Sequence, residues 1–172
     1  MRWFYVNFKT ANTKGKYYDT NAKEDVINYI TSPKKTLGDY IGSKNLCCSN
    51  FSEEMMNTSK QFGKDTGVQL RHFVVAFDEN EVNDPTVAFD IGDKICDVFK
   101  DEYQCVFGVH EDTKHLHVHI AINSTNFVDG HRYKGTRQEF NHMKNHINKI
   151  LKEHNLSPVK YVSNKKNDVF KS

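Results

Sequence analysis

Residues 104–123, QCVFGVHEDTKHLHVHIAIN, constrain the fold of this chain more than any other stretch. Two runs of β-forming residues flank a short charged link, the sequence form of an antiparallel hairpin. With a four-residue turn at 111–114, His110 is expected opposite His115, Gly108 opposite His117 and Val106 opposite His119. Opposed residues share a face of a sheet, and so do residues two apart on one strand. His110, His115, His117 and His119 therefore project to one side, with Gly108 leaving room beside His117. Cys105, Phe107, Val109, Leu116, Val118, Ile120 and Ile122 collect on the other side, as residues of a packed core do.

That density of imidazoles implies a chemistry. Two imidazoles at i and i+2, with a third from the neighbouring strand, can converge on a divalent metal at about 2.1 Å from each nitrogen. Three neutral histidine ligands leave coordination positions open, so such a site binds substrate or water rather than closing a structural centre. Asp112 is placed to accept the second N–H of a ligating imidazole and fix its tautomer.

The rest of the chain supplies a scaffold. RWFYVNF (2–8) reads as a first strand, followed by a polar loop over 9–20. Asn21 and Glu24 have the form of a capping box opening a helix over 22–31, with Val26, Ile27 and Ile30 as its apolar stripe, Tyr29 at its edge and Pro33 as its stop. Residues 32–50 read as irregular. Asn50 and Glu53 open a second helix that ends near Gly63, and VQLRHFVVAF (68–77) is a second strand. Asp84-Pro85 starts a third helix carrying Val87, Phe89, Ile91, Ile95, Val98 and Phe99. Strands at 103–110 and 115–123 follow. Thr136 and Glu139 form a third capping box before a helix reaching about residue 154, and VKYV (159–162) has the composition of a further short strand. The order β-α-α-β-α-β-β-α, with an antiparallel hairpin and irregular helices, predicts an α+β fold: a mostly antiparallel central sheet with helices packed on it, in one domain spanning 1–172 with a flexible basic tail at 163–172.

No apolar run approaches a membrane span, and the N-terminus has no signal-peptide form. Cys47, Cys48, Cys96 and Cys105 make no CxxC pair, which suits a reduced cytoplasmic protein. Charge is unevenly spread: residues 131–172 carry ten Lys/Arg against three Asp/Glu, while residues 1–130 carry fourteen against nineteen. A basic C-terminal quarter suits a polyanion partner.

HEDTKHLHVHIAIN (110–123) resembles the third motif of the HUH relaxases, the DNA-strand transferases of bacterial plasmid and conjugative-element mobilisation, in the MobP-type form HxDxxHxHxHxxxN. NYITSPKKT (28–36) resembles the family's nucleophile segment, and MMNTSKQFGKDTGVQLRHFVVAFDENE (55–81) its second-motif region. The family's motif often has a serine where this chain has Ala76.

The resemblance implies a divalent metal (Mg²⁺ or Mn²⁺, with Zn²⁺ a further candidate) on His110, His117 and His119, leaving His115 outside the ligand set. It implies that Tyr29 attacks a phosphorus of single-stranded DNA at the nick site beside an origin-of-transfer hairpin, leaving a 5′-phosphotyrosyl bond and a free 3′ hydroxyl. A phenol is a weak nucleophile near neutral pH, its ordinary pKa being about 10, so it needs a base or a positively charged neighbourhood. Tyr40, Tyr17 and Tyr18 are the alternatives to Tyr29. Lys34, Lys35, Arg132, Lys134 and Arg137 are candidate phosphate contacts, and Tyr133 a candidate stacking platform for a base. His72 either shares the histidine face or is a plain core residue, the reading favoured here; Asn123 is a candidate for orienting a loop or ligand. An accessory DNA-binding protein is the implied partner. Rolling-circle initiators and related transposases share the metal site but typically place the tyrosine after the histidines; a non-enzymatic metal-containing DNA-binding protein is the alternative of a different class.

Overall fold

The structure, a computed structural model, describes residues 7–10, 21–47 and 50–161. Its elements in chain order are β1 (Asn7–Thr10), α1 (Ala22–Ile30), β2 (Thr36–Lys44), α2 (Phe51–Gln61), β3 (Leu70–Ala76), α3 (Pro85–Cys96), β4 (Cys105–His110), β5 (His117–Asn123), α4 (Arg137–Glu153) and β6 (Lys160–Tyr161). Among the described residues they build an α+β fold around a six-stranded sheet of order β2-β4-β5-β3-β1-β6, in which only the β1–β6 pair is parallel. The start of the expected first strand, the loop bearing Tyr17 and Tyr18, and the basic tail lie outside the described residues.

Local signals account for most helix boundaries. Asn50 accepts from the Glu53 amide at 3.3 Å at the start of α2. Asp84 accepts from the Thr86 amide at 2.8 Å with Pro85 in the first turn of α3. Thr136 and Glu139 complete a reciprocal capping box on α4. At α1 the expected box does not form, because Asn21 has itself entered the helical region of φ and ψ.

Two expectations need correction. Residues 36–44 are a strand, not an irregular stretch. Its middle interrupts the ladder: Thr36 pairs with His110, but pairing resumes only at Ile41 opposite Gly108. The hairpin register is also shifted: His110 faces His117, Gly108 faces His119 and Val106 faces Ala121. The turn between the two strands spans residues 111–116 and is longer than expected. Lys114 pairs with Glu79 at 2.8 Å, and Thr113 Oγ1 donates to the His115 carbonyl. A shift of two residues keeps every side chain on its expected face.

The sheet has two unlike faces. Phe73, Val75, Phe107, Val109, Val118, Ile120 and Ile122 pack against α3 and α4 in the larger core. On the other face Leu70, Val106 and Ala121 pack beneath Val26, Ile27 and Ile30 of α1 and Met55 of α2. No helix among the described residues is long and apolar enough to cross a membrane.

Candidate active site

The histidines stand on the α1 side of the sheet, at the end where β4 and β5 approach their hairpin turn. Ring centroids of His110 and His119 are 4.3 Å apart, and those of His117 and His119 are 4.9 Å apart. One nitrogen from each of His110, His117 and His119 lies within 4.8 Å of the others. The remaining nitrogens are fixed from behind. His110 Nε2 donates to the Ile30 carbonyl at 3.1 Å, His117 Nδ1 to the His115 carbonyl at 3.0 Å, and His119 Nδ1 lies 2.8 Å from His72 Nε2. His110 Nδ1 and His119 Nε2 are then buried with no hydrogen-bond partner. Buried imidazole nitrogens without partners are costly, and two converging with a third have the form of a metal ligand set.

Burial favours the neutral form of His110 and His119, the form that binds a metal. Desolvation, helped by the neighbouring histidines, holds His119 down to about 2, and desolvation with His110 holds His72 down to about 4. His110 is lowered too, chiefly by burial, against the pull of the Ile30 carbonyl.

The tautomer-fixing role expected of Asp112 falls to two backbone carbonyls and to His72. Asp112 instead pairs with Lys35 at 2.7 Å, which depresses its carboxyl, and its second oxygen lies 3.6 Å from His117 Nε2, on the nitrogen that faces the cluster. His72 thus shares the histidine face and is no plain core residue. His115 is exposed in the turn and enters only through its carbonyl. Ala76 sits opposite His117 on the same face, so the position of the motif's serine borders the cluster.

Tyr29 reaches this cluster through the end of α1. Its ring centroid is 5.1 Å from that of His119 and 5.2 Å from that of His110, with 40% of the residue exposed. The approach has a specific cause at Gly108. A Cβ there would stand 2.7 Å from the Ile30 carbonyl oxygen, so glycine is what lets α1 close onto β4. The Ile30 carbonyl, one of those a helix end leaves unpaired, accepts from both His110 Nε2 and Thr36 Oγ1. The PKKT segment thereby fastens the helix end to the end of β4, and the Glu111 amide donating to the Lys35 carbonyl completes the join. Lys35 Nζ stands 4.7 Å from the Tyr29 ring centroid, a cation–π distance. Its pKa is raised, first by the hydrogen bond to Asp112, with Tyr29 contributing.

Other candidates separate. Lys34, Lys134 and Arg137 are exposed. Arg132 is a structural clamp: its guanidinium donates to the carbonyls of Lys64, Thr66 and Val68. Tyr133 is 7% exposed and packed among Phe73, Phe99 and Tyr103, so it offers no ring to a base. Tyr40 lies against Phe89 of α3, in the other core. Asn123 is buried, donating to the Met55 carbonyl and to Gln104. Sequence reasoning missed the Ile30 carbonyl, which no side-chain motif can signal, and Lys23, a fully covered lysine on α1.

Residues 29–156 match the model of the MobA/VirD2-like relaxase nuclease domain. Two proteins of Staphylococcus aureus, each named Protein rlx, are similar to this chain. One is 28% identical over 100 residues, covering 58% of this chain and 31% of that protein; the other is 27% identical over 100 residues, covering 58% and 30%. The chain matches under a third of the length of these relatives. The family match begins at Tyr29 and encloses the histidine strands, the PKKT join and β3 with His72 and Ala76, and the chain belongs to the family of MobA/VirD2-like relaxase nuclease domains.

Proposed function

We propose that the chain is a site- and strand-specific DNA transesterase that nicks single-stranded DNA at an origin of transfer, with Tyr29 as its nucleophile, in conjugative transfer or mobilisation. The observation that carries this reading is the stand of Tyr29 over His110 and His119, at ring distances near 5 Å, from eighty residues earlier in the chain. The phenolic oxygen bonds to the phosphorus as the bond from phosphorus to the 3′ oxygen of the preceding nucleotide breaks. The phenol loses its proton and the departing 3′ oxygen gains one. The product keeps a phosphodiester as a 5′-phosphotyrosyl bond, so the strand can be rejoined without an external energy source.

His110 Nδ1, His119 Nε2 and the cluster-facing nitrogen of His117 would hold the divalent cation, Mg²⁺ or Mn²⁺, whose chemistry is to neutralise charge building on the non-bridging phosphate oxygens. His72 holds His119 in the tautomer that leaves Nε2 open, and Asp112 lies beside that set while anchoring Lys35. Lys35 places an ammonium next to both the phenol and any phosphate approaching it. Lys34, Lys134 and Arg137 remain exposed cations available to the strand's backbone.

The test compares wild type with Tyr29→Phe on overlapping single-stranded oligonucleotides that tile the DNA flanking the gene, with Mn²⁺. Wild type should give an SDS-resistant protein–DNA adduct on one of them, and Tyr29→Phe should give none at unchanged oligonucleotide affinity. An adduct formed equally by the phenylalanine variant assigns the nucleophile elsewhere; no adduct from wild type on any oligonucleotide removes the strand-transfer reading.

A further inference from the structure

Lys23 is 1% exposed, on the first turn of a nine-residue helix. Its ammonium donates to the Met55 carbonyl at 3.1 Å and to Ser59 Oγ at 2.5 Å, both on α2. Ser59 in turn lies 3.3 Å from Asn123 Oδ1 and 2.9 Å from Thr125 Oγ1. Asn123 Nδ2 returns to the same Met55 carbonyl at 3.0 Å. The hydrogen bonds close a ring that joins α1, α2 and the end of β5, the strand whose other end carries His117 and His119.

We propose that this buried ring is a positioning device: Lys23, Ser59 and Asn123 set the axial register and rotation of α1, and with them where Tyr29 stands over the histidines. The inference rests on the reading of Tyr29 as nucleophile. The apolar contacts of α1, made by Val26, Ile27 and Ile30, hold the helix down but allow it to slide and roll, since hydrophobic burial has no direction. Two hydrogen bonds from one ammonium do have direction. They act six residues ahead of Tyr29, about 9 Å along the helix, while the Ile30 carbonyl is held at the other end. Stability alone gives no reason for a lysine here. Its partners are a carbonyl and a hydroxyl that keep other hydrogen bonds, from Asn123 Nδ2 and with Thr125 Oγ1, so an apolar side chain of similar length leaves neither unsatisfied. Burial first, then the Arg132 guanidinium, depress Lys23 to about 8 against the pull of Asp65, which marks the ammonium as a cost to the fold.

Lys23→Met tests the device. In the metal-loaded chain the variant should melt no lower than wild type and should keep its Mn²⁺ affinity and its affinity for the adduct-forming oligonucleotide. Its single-turnover adduct rate should fall by about 10- to 100-fold, the penalty of misplacing a reacting group by an ångström or less, and amide exchange over residues 22–30 should quicken. A folded Lys23→Met that forms adduct at the wild-type rate overturns the proposal. Should Lys23→Met fail to fold, Ser59→Ala, which removes the lysine's hydroxyl acceptor, is read by the same measures. If wild type itself gives no adduct, the strand-transfer reading fails and amide exchange judges the ring by itself: unchanged exchange in Lys23→Met overturns it.

Discussion

The two faces of the sheet are built from the same strands on opposite principles. The face toward α3 and α4 is aromatic and aliphatic, with Phe107 wholly buried between the strands and Phe89, ring centroids 5.2 Å apart. The face toward α1 and α2 buries a lysine, histidines with unpartnered nitrogens and a closed polar ring. Buried polar groups stabilise a fold little and fix its geometry strongly. The difference teaches where each property resides: the α3/α4 face supplies the free energy that holds the strands in place, and the α1/α2 face uses part of it to hold the histidine cluster and Tyr29 together.

The sharpest way to break that comparison is to cut into the apolar face. Phe107→Ala empties a fully buried ring site and should cost about 3–5 kcal/mol in denaturant unfolding. The molecules that remain folded should form adduct at the wild-type rate. A large drop in rate per folded molecule would show that the two faces are not separable. Gly108→Ala attacks from the other side and should have a smaller effect on stability, about 1–3 kcal/mol. Its Cβ would meet the Ile30 carbonyl at 2.7 Å, so α1 must lift at the residue next to Tyr29. The adduct rate should fall about 100-fold. Gly42→Ala is its counterpart on the apolar face, where a Cβ would stand 2.2 Å from Phe107 Cζ. That change should lower stability and leave the rate per folded molecule alone.

Much of this was legible in the sequence where the physics is local. Alternation put the histidines on one face and their apolar neighbours on the other, and that survived a register error because the error was an even number of residues. The capping signals of α2, α3 and α4 are contained within a few residues, and all three formed. Distant partners defeat such reading. TLGDYIGSK has few β-formers, and it becomes a strand because β4 offers its edge and Gly42 leaves room for Phe107. Arg132 and Tyr133 look like surface residues until the 64–68 carbonyls and the Phe99–Tyr103 cluster close on them. Lys23 looks like a solvated helix residue, since its partners lie thirty-two and thirty-six residues away. The approach of Tyr29 to the histidines depends on the close passage of Gly108 beneath the Ile30 carbonyl, which no periodicity encodes.

The smallest effect separates two lysines by sign. Lys23 ordinarily titrates at 10.5 in the unfolded chain and at about 8 in the folded one. Between those values unfolding takes up a proton, so its penalty is complete below pH 8 and is relieved as pH rises toward 10.5. Wild type should therefore gain stability relative to Lys23→Met between pH 7 and 9, by on the order of 1 kcal/mol. Lys44, on β2, has the opposite sign. Burial pulls it down, but Asp93 at 2.8 Å and Asp97 at 3.0 Å outweigh that and raise it above 10.5. Its stabilisation is fully present below 10.5 and is lost only as pH rises through the raised value, so Lys44→Met should show a pH-independent difference from wild type between 7 and 9. Equal pH dependence in the two variants would mean that Lys23 is solvated in solution, and the polar ring beneath α1 would then be open to water.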